Sequence, residues 1–194
     1  MKCSIYFLAI LTFLTVSCNS DKQDNQSTAI SETTNLMLKL YNNIDGELHY
    51  WETWDSDDKT AIIHWGVVGQ KGQNKEVKSG LFSNFRKTVQ KEIDEKINEG
   101  YAEFDEDNIS FLEIEYKIEG FGTDDDLDKR HRLEARMDQT LGWTGLGHTD
   151  GGSIGSGNME VGCLVVDFEI AKKVIEQDLK DTEFGDYSRI YKME

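Results

Sequence analysis

The sequence has no proline, only three cysteines, and 21 lysines and arginines against 37 aspartates and glutamates in 194 residues. Without proline the chain has no φ-locked turn and no cis-prolyl bond, so its reversals fall to glycine, asparagine, aspartate and serine. The 17 glycines therefore become the punctuation to read first. The cysteines exclude a disulfide framework in the folded part, since Cys3 and Cys18 stand near the start and Cys163 is alone in the apolar run 161–166. A reactive thiol needs exposure and a nearby base, so Cys163 is expected to be a buried, inert strand residue. The shortage of cations leaves a formal net charge of −16. Such a chain repels phosphate backbones unless its cations cluster, which disfavours nucleic acid as a partner and favours a basic protein.

Apolar runs are short, and the most continuous one lies at the beginning. Lys2 precedes Ile5 to Leu11, and the run continues through Phe13, Leu14 and Val16. A positive charge followed by an apolar stretch too short to span a bilayer is a signal-peptide pattern. The stretch ends in Leu14-Thr15-Val16-Ser17-Cys18. This resembles a bacterial lipobox, with Thr15 where leucine is usual, and the resemblance implies that Cys18 becomes the acylated (palmitate-bearing) first residue of the mature chain. Residues 1–17 are thus expected to be a lipoprotein signal peptide. Residues 18–35 have no aromatic side chain and are mostly small and polar. They cannot bury enough apolar surface to offset their ordering entropy, so a flexible tether is expected. The expected location is the bacterial cell envelope, lipid-anchored to a membrane and periplasmic or surface-exposed. The alternative is a plain secretory signal with Cys18 an ordinary thiol.

Beyond the tether, residues 36–107 read as four strands and a helix. Strands are expected over 36–41, 47–54, 60–68 and 74–78, the third being dense in β-branched and aromatic residues. Phe82, Phe85, Val89, Ile93 and Ile97 then recur at helical spacing, and Gly100 ends the helix. In the middle stands Trp65-Gly66-Val67-Val68-Gly69-Gln70-Lys71-Gly72-Gln73. This segment resembles the signature of the WGR domain, in which Trp-Gly-Arg-Val-Gly is followed two residues later by Gly-Gln. Trp65, Gly66, Val68, Gly69, Gly72 and Gln73 match, and Val67 stands in place of the arginine. The resemblance implies an antiparallel sheet with one helix, used for nucleic-acid binding or interdomain contact. Valine can neither donate a hydrogen bond nor pair with phosphate, which weakens the nucleic-acid role. Trp65 beside Gly66 is expected to be a core residue.

Residues 109–194 show a second pattern. A strand over 110–120 is followed by a helix that Thr123 caps and that runs to about Leu141, with Leu127, Leu133, Met137 and Leu141 inward. Strands over 143–149 and 159–166, a helix over 168–179 and a strand over 187–191 complete the order β-α-β-β-α-β. That is the order of the ferredoxin-like sandwich, so the expected fold class is α+β in two domains.

One segment invites a site. Residues 147–157 contain five glycines among mostly small polar residues, with His148 and Asp150 between them. Glycine-rich backbone can cradle an anion, and His148 with Asp150 could bind a metal or move a proton. A phosphate loop should open into a helix, whereas this one leads into a strand. The preferred reading is a long flexible hairpin, and the next is a protein-contact loop through His148, Asp150, Gly151, Gly152 and Ser153. His49, His64 and His131 are scattered without metal-ligand spacing. Neither 55–58 nor 124–126 completes a calcium loop. No catalytic residue, metal or cofactor is assigned.

The expected function is a membrane-tethered protein-binding module, one form of it being an immunity-type inhibitor that neutralises a basic toxin. The alternatives are a nucleic-acid-binding WGR protein, or an enzyme working through 147–157.

Overall fold

The computed structural model describes residues 37–80 and 84–193. The expected signal peptide, Cys18, the tether, Leu36 and Phe82 lie outside the described residues. Among the described residues, no helix is long and apolar enough to cross a membrane.

The first four strands, β1 (Met37–Ile44), β2 (Glu47–Asp57), β3 (Thr60–Val67) and β4 (Gln73–Lys78), form an antiparallel meander in chain order. The two-residue period of a strand gives the sheet two distinct faces. One presents Leu40, Trp51, Ala61 and Ile63 to helix α1 (Phe85–Asn98), which answers with Phe85, Val89 and Ile93. Each of these side chains gains roughly 1.5–3 kcal/mol from full burial, which outweighs the helix's modest intrinsic stability. Asn84 starts the helix by accepting from the amides of Arg86 and Lys87. Ile97, expected inward, is 54 % exposed. The chain reverses at Gly100, φ +93°, and Tyr101 is the buried residue at that end.

The second sheet contains β5 (Ser110–Lys117), β6 (Gly147–Gly155), β7 (Asn158–Val165) and β8 (Arg189–Lys192) in the order β6-β7-β5-β8, every pairing antiparallel. Leu112, Ile114 and Tyr116 of β5 share a core with Val161 and Cys163 of β7 and with the helices α2 (Asp124–Trp143) and α3 (Phe168–Leu179). α2 opens with a capping box: Thr123 Oγ1 accepts from the Asp126 amide at 3.2 Å, and Asp126 accepts from the Thr123 amide at 2.8 Å. Leu133, Met137 and Leu141 are fully buried, whereas Leu127, expected inward with them, is only partly covered. The chain therefore has mixed α and β structure, with two antiparallel four-stranded sheets and three α-helices among the described residues.

The glycine-rich segment lies in a hairpin, as expected, but its loop character is corrected. It is not a loop: β6 runs through Gly155, the hairpin turns at Ser156-Gly157, and α2 extends to Trp143 where a strand was expected to begin. A β-ladder is made by backbone groups, so a neighbouring apolar strand can impose it on residues of poor strand propensity. Here β7 supplies the ladder and α2 buttresses it from the side. Asp138 accepts from the Thr149 amide at 2.8 Å, and Arg130 donates to the Gly152 carbonyl at 2.8 Å. A bulge between Thr149 and Gly152 absorbs the local irregularity.

The two halves meet through the other face of the first sheet. Tyr41, Tyr50 and Val68 are buried in the core of the second half, with Leu48 packed against it. The Tyr41 hydroxyl donates to the Gly145 carbonyl at 3.0 Å, and the Gly69 amide donates to the Thr144 carbonyl at 2.8 Å. Both halves belong to one compact unit, Asn35–Glu194.

Candidate functional site at the seam between the sheets

The segment 65–73 forms the last part of β3 and its turn into β4. Gly66 lies opposite Tyr50 in the ladder. A Cβ on Gly66 would stand 2.9 Å from Gly72 Cα, and one on Gly72 would collide with the Trp65 carbonyl and the Tyr50 hydroxyl. The turn is thus folded directly onto Tyr50, and no larger residue fits at Gly72. Gly69, at φ +88°, comes equally close to the Ile170 side chain of α3. Val68 is buried and donates its amide to the Leu48 carbonyl at 2.8 Å. Val67 is partly buried and pairs with His49, while Gln73 is exposed.

Trp65 departs from expectation. It packs against the first core but is only partly buried, with Lys75 Nζ 5.8 Å from its ring centroid. Trp65 pairs with Gln73 at the turn end of the β3–β4 ladder, and its cross-strand partner Trp51 takes the interior position. The motif's tryptophan covers the rim of the core rather than filling its centre.

A polar chain runs beneath the seam that sequence reasoning did not find. His64 is 1 % exposed. Its Nδ1 lies 2.7 Å from Glu52 Oε1, and its Nε2 lies 3.0 Å from the Tyr50 hydroxyl. Lys39 reaches the other Glu52 oxygen at 3.2 Å. A carboxylate only accepts, so Nδ1 carries the proton; in the neutral ring Nε2 then accepts from Tyr50. Burial, aided by the Glu52 charge, pushes the Tyr50 hydroxyl up to about 12, and burial raises Tyr41 further still. Both tyrosines therefore stay protonated donors around neutral pH. The arrangement satisfies buried polar groups and braces the seam. The one available signal was alternation, which places Tyr50 and Glu52 on one face of β2. The register that sets His64 opposite Glu52 is a property of the folded sheet.

Above this chain lies a cleft of about 970 Å³, bounded by the motif turn, α2 and α3. Lys71 and Gly72 line one side, Trp143 another, and Lys173, Arg136 and Asp178 the helical wall. Trp143 is 43 % exposed, and its ring stands edge-on to His64 at 4.9 Å and to Trp54 at 6.1 Å. Arg136 bridges the helices by donating to the Asp178 carboxylate at 2.7 Å and to its carbonyl at 2.9 Å. Lys71 and Lys173 are exposed and form no ion pair among the described residues. The cleft is thus locally cationic on a strongly acidic chain, with an exposed indole beside it.

The other sequence candidates lie elsewhere. His148, Asp150, Gly151, Gly152 and Ser153 are all exposed on β6 and do not line the cleft. Ser153 donates to Glu160 at 2.7 Å. Cys163 is fully buried, and burial pushes its thiol up to about 12. Among the described residues, no group of three or more His, Cys, Asp or Glu side chains is arranged to hold a metal ion. No family model, curated protein or solved structure matches this chain.

Proposed function

We propose that this chain is a lipid-anchored protein-binding module of the bacterial cell envelope, tethered through Cys18 and using the seam cleft as a contact surface. The observation that carries the reading is the cleft itself. It is open, it is lined by charged and polar side chains together with apolar surface, it holds two lysines that form no ion pair among the described residues, and it has a half-exposed tryptophan resting on a buried hydrogen-bonded chain. Aromatic side chains beside free polar groups on a braced scaffold suit protein recognition.

The first half is read as WGR-like and the second as ferredoxin-like. An antiparallel sheet in the order β6-β7-β5-β8, connected β-α-β-β-α-β, supports the second assignment. The use of the motif turn supports the interdomain-contact side of the WGR resemblance. Its Gly69 amide is occupied by Thr144 and its glycines are packed against Tyr50 and Ile170, so the turn offers little to a phosphate. An immunity-type inhibitor is one particular form: the acidic surface outside the cleft draws in a basic toxin, and the cationic cleft takes an acidic segment of it.

The test uses the full lipidated chain as bait in envelope fractions. Trp143→Ala and the pair Lys71→Glu, Lys173→Glu should each lose a partner that wild type retains. Lys87→Glu, on an exposed position of α1, should keep it. Equal recovery with all four chains excludes the seam. The anchor is tested separately: a fatty-acid analogue should label wild type and not Cys18→Ser.

A further inference from the structure

The connection between β5 and α2 holds the most exposed large apolar side chain among the described residues, Phe121, at 85 %. Exposed phenylalanines are common enough, but this one is presented by a built turn. Gly120 and Gly122 flank it at φ +57° and +83°. Gly122 allows close approach to the apolar layer beneath, since a Cβ there would stand 2.6 Å from Ile154 Cδ1 and 3.1 Å from Ile118 Cδ1. Backbone hydrogen bonds tie the turn to itself and to the β6–β7 hairpin: Gly122 to Glu119 at 3.0 Å, Gly157 to Gly120 at 2.7 Å, and Ile118 to Gly157 at 3.0 Å. The ring therefore projects from a fixed platform, and docking it costs little ordering entropy.

Its neighbours along the chain are of one charge, and Lys117 on the preceding strand is held by Glu115 at 2.9 Å. The ten residues 119–128 contain five carboxylates and no lysine or arginine. Asp126 is taken up by the helix cap, while Glu119, Asp124, Asp125 and Asp128 remain exposed. The cations that follow on α2 are already held: Lys129 by Asp186 at 2.6 Å, Arg130 by Glu134 at 2.9 Å and Arg132 by Glu183 at 2.9 Å. An aromatic anchor next in sequence to exposed carboxylates without an ion pair among the described residues complements an apolar pocket bordered by lysine and arginine. It opposes an anionic lipid surface, whose headgroups repel the same carboxylates.

We infer that Phe121 and its carboxylate rim form a second interaction surface, distinct from the seam, that docks into an apolar pocket on a basic partner protein.

The test places a photoreactive benzoylphenylalanine at position 121 of the full chain, in the cells that produce it, and in a parallel chain at position 143. Irradiation should yield a protein adduct from position 121. Once identified by sequencing and purified, that protein should bind wild type with an affinity that falls steeply with added salt. Phe121→Ala should weaken binding by about 30-fold or more, as removal of a central aromatic anchor does. Asp124→Asn with Asp125→Asn should weaken it and flatten the salt dependence, with the melting temperature of Phe121→Ala unchanged and that of the pair lowered by at most a few degrees, since both aspartates sit in the first turn of α2. Adducts from position 121 to lipid alone, no adduct there, or a purified partner indifferent to both variants would each overturn the inference. An adduct from position 143 without one from 121 overturns it while leaving the seam reading intact. No adduct from either position removes both.

Discussion

Replacing Gly69 by alanine tests whether the motif turn is the fastening between the two halves. Two separate costs are built in. At φ +88° an L-residue sits in left-handed backbone, which costs roughly 1–2 kcal/mol. The new methyl would also collide with Ile170 Cγ2 in a packed seam, and overpacking of this kind costs typically about 1–3 kcal/mol. Gly69→Ala should therefore destabilise by about 2–5 kcal/mol. In a domain of this size each kcal/mol lowers the melting temperature by roughly 2–4 °C. The two costs can be separated with Ile170→Ala, which removes the atom that the methyl strikes. The double variant should recover the packing part, so that it is about 1–3 kcal/mol more stable than the sum of the single effects. Chemical denaturation of all four chains measures this coupling. Strict additivity would refute the contact between the turn and α3. A Gly69→Ala variant as stable as wild type would refute the whole account of the turn.

Tyr50→Phe keeps the buried ring but leaves His64 Nε2 without its donor, so a loss of roughly 1–3 kcal/mol is expected by the same denaturation assay; an unchanged midpoint would mean that the polar chain does not brace the seam. On the second sheet, Arg189 and then Lys117 hold the Glu115 carboxyl below the usual range. Its native value is lowered, so its contribution to stability is present above the unfolded carboxylate range and is lost as pH falls through the native value. Glu115→Gln should remove that part of the acid-unfolding curve, and identical curves would contradict the assignment. Residues 19–194 should show no salt-sensitive complex with nicked duplex or single-stranded DNA tighter than about 10⁻⁴ M at near-physiological salt, measured by fluorescence anisotropy. Submicromolar binding would favour the nucleic-acid alternative over the protein-binding proposal.

Local rules read from the sequence were strong wherever they acted over a few residues. The helix expected over 168–179 spans Phe168–Leu179, because its apolar period, the Asp167 cap and the lack of internal breakers all agree. Thr123 caps α2, and Cys163 is buried in an apolar strand. Charge was legible as well, since a sum over side chains needs no structure. What remained hidden depends on partners distant in sequence. The segment 147–155 has the composition of a loop and became a strand because β7 supplied the ladder. Trp65 has the composition of a core residue, yet its place at the end of the ladder left it at the rim. The Glu52–His64–Tyr50 chain depends on the β2–β3 register, and the seam on how two sheets and two helices pack. Composition and spacing decide which faces are apolar, because that choice is local. Which faces meet, and which side chains are left at the boundary, follows from the tertiary packing that removes both from water.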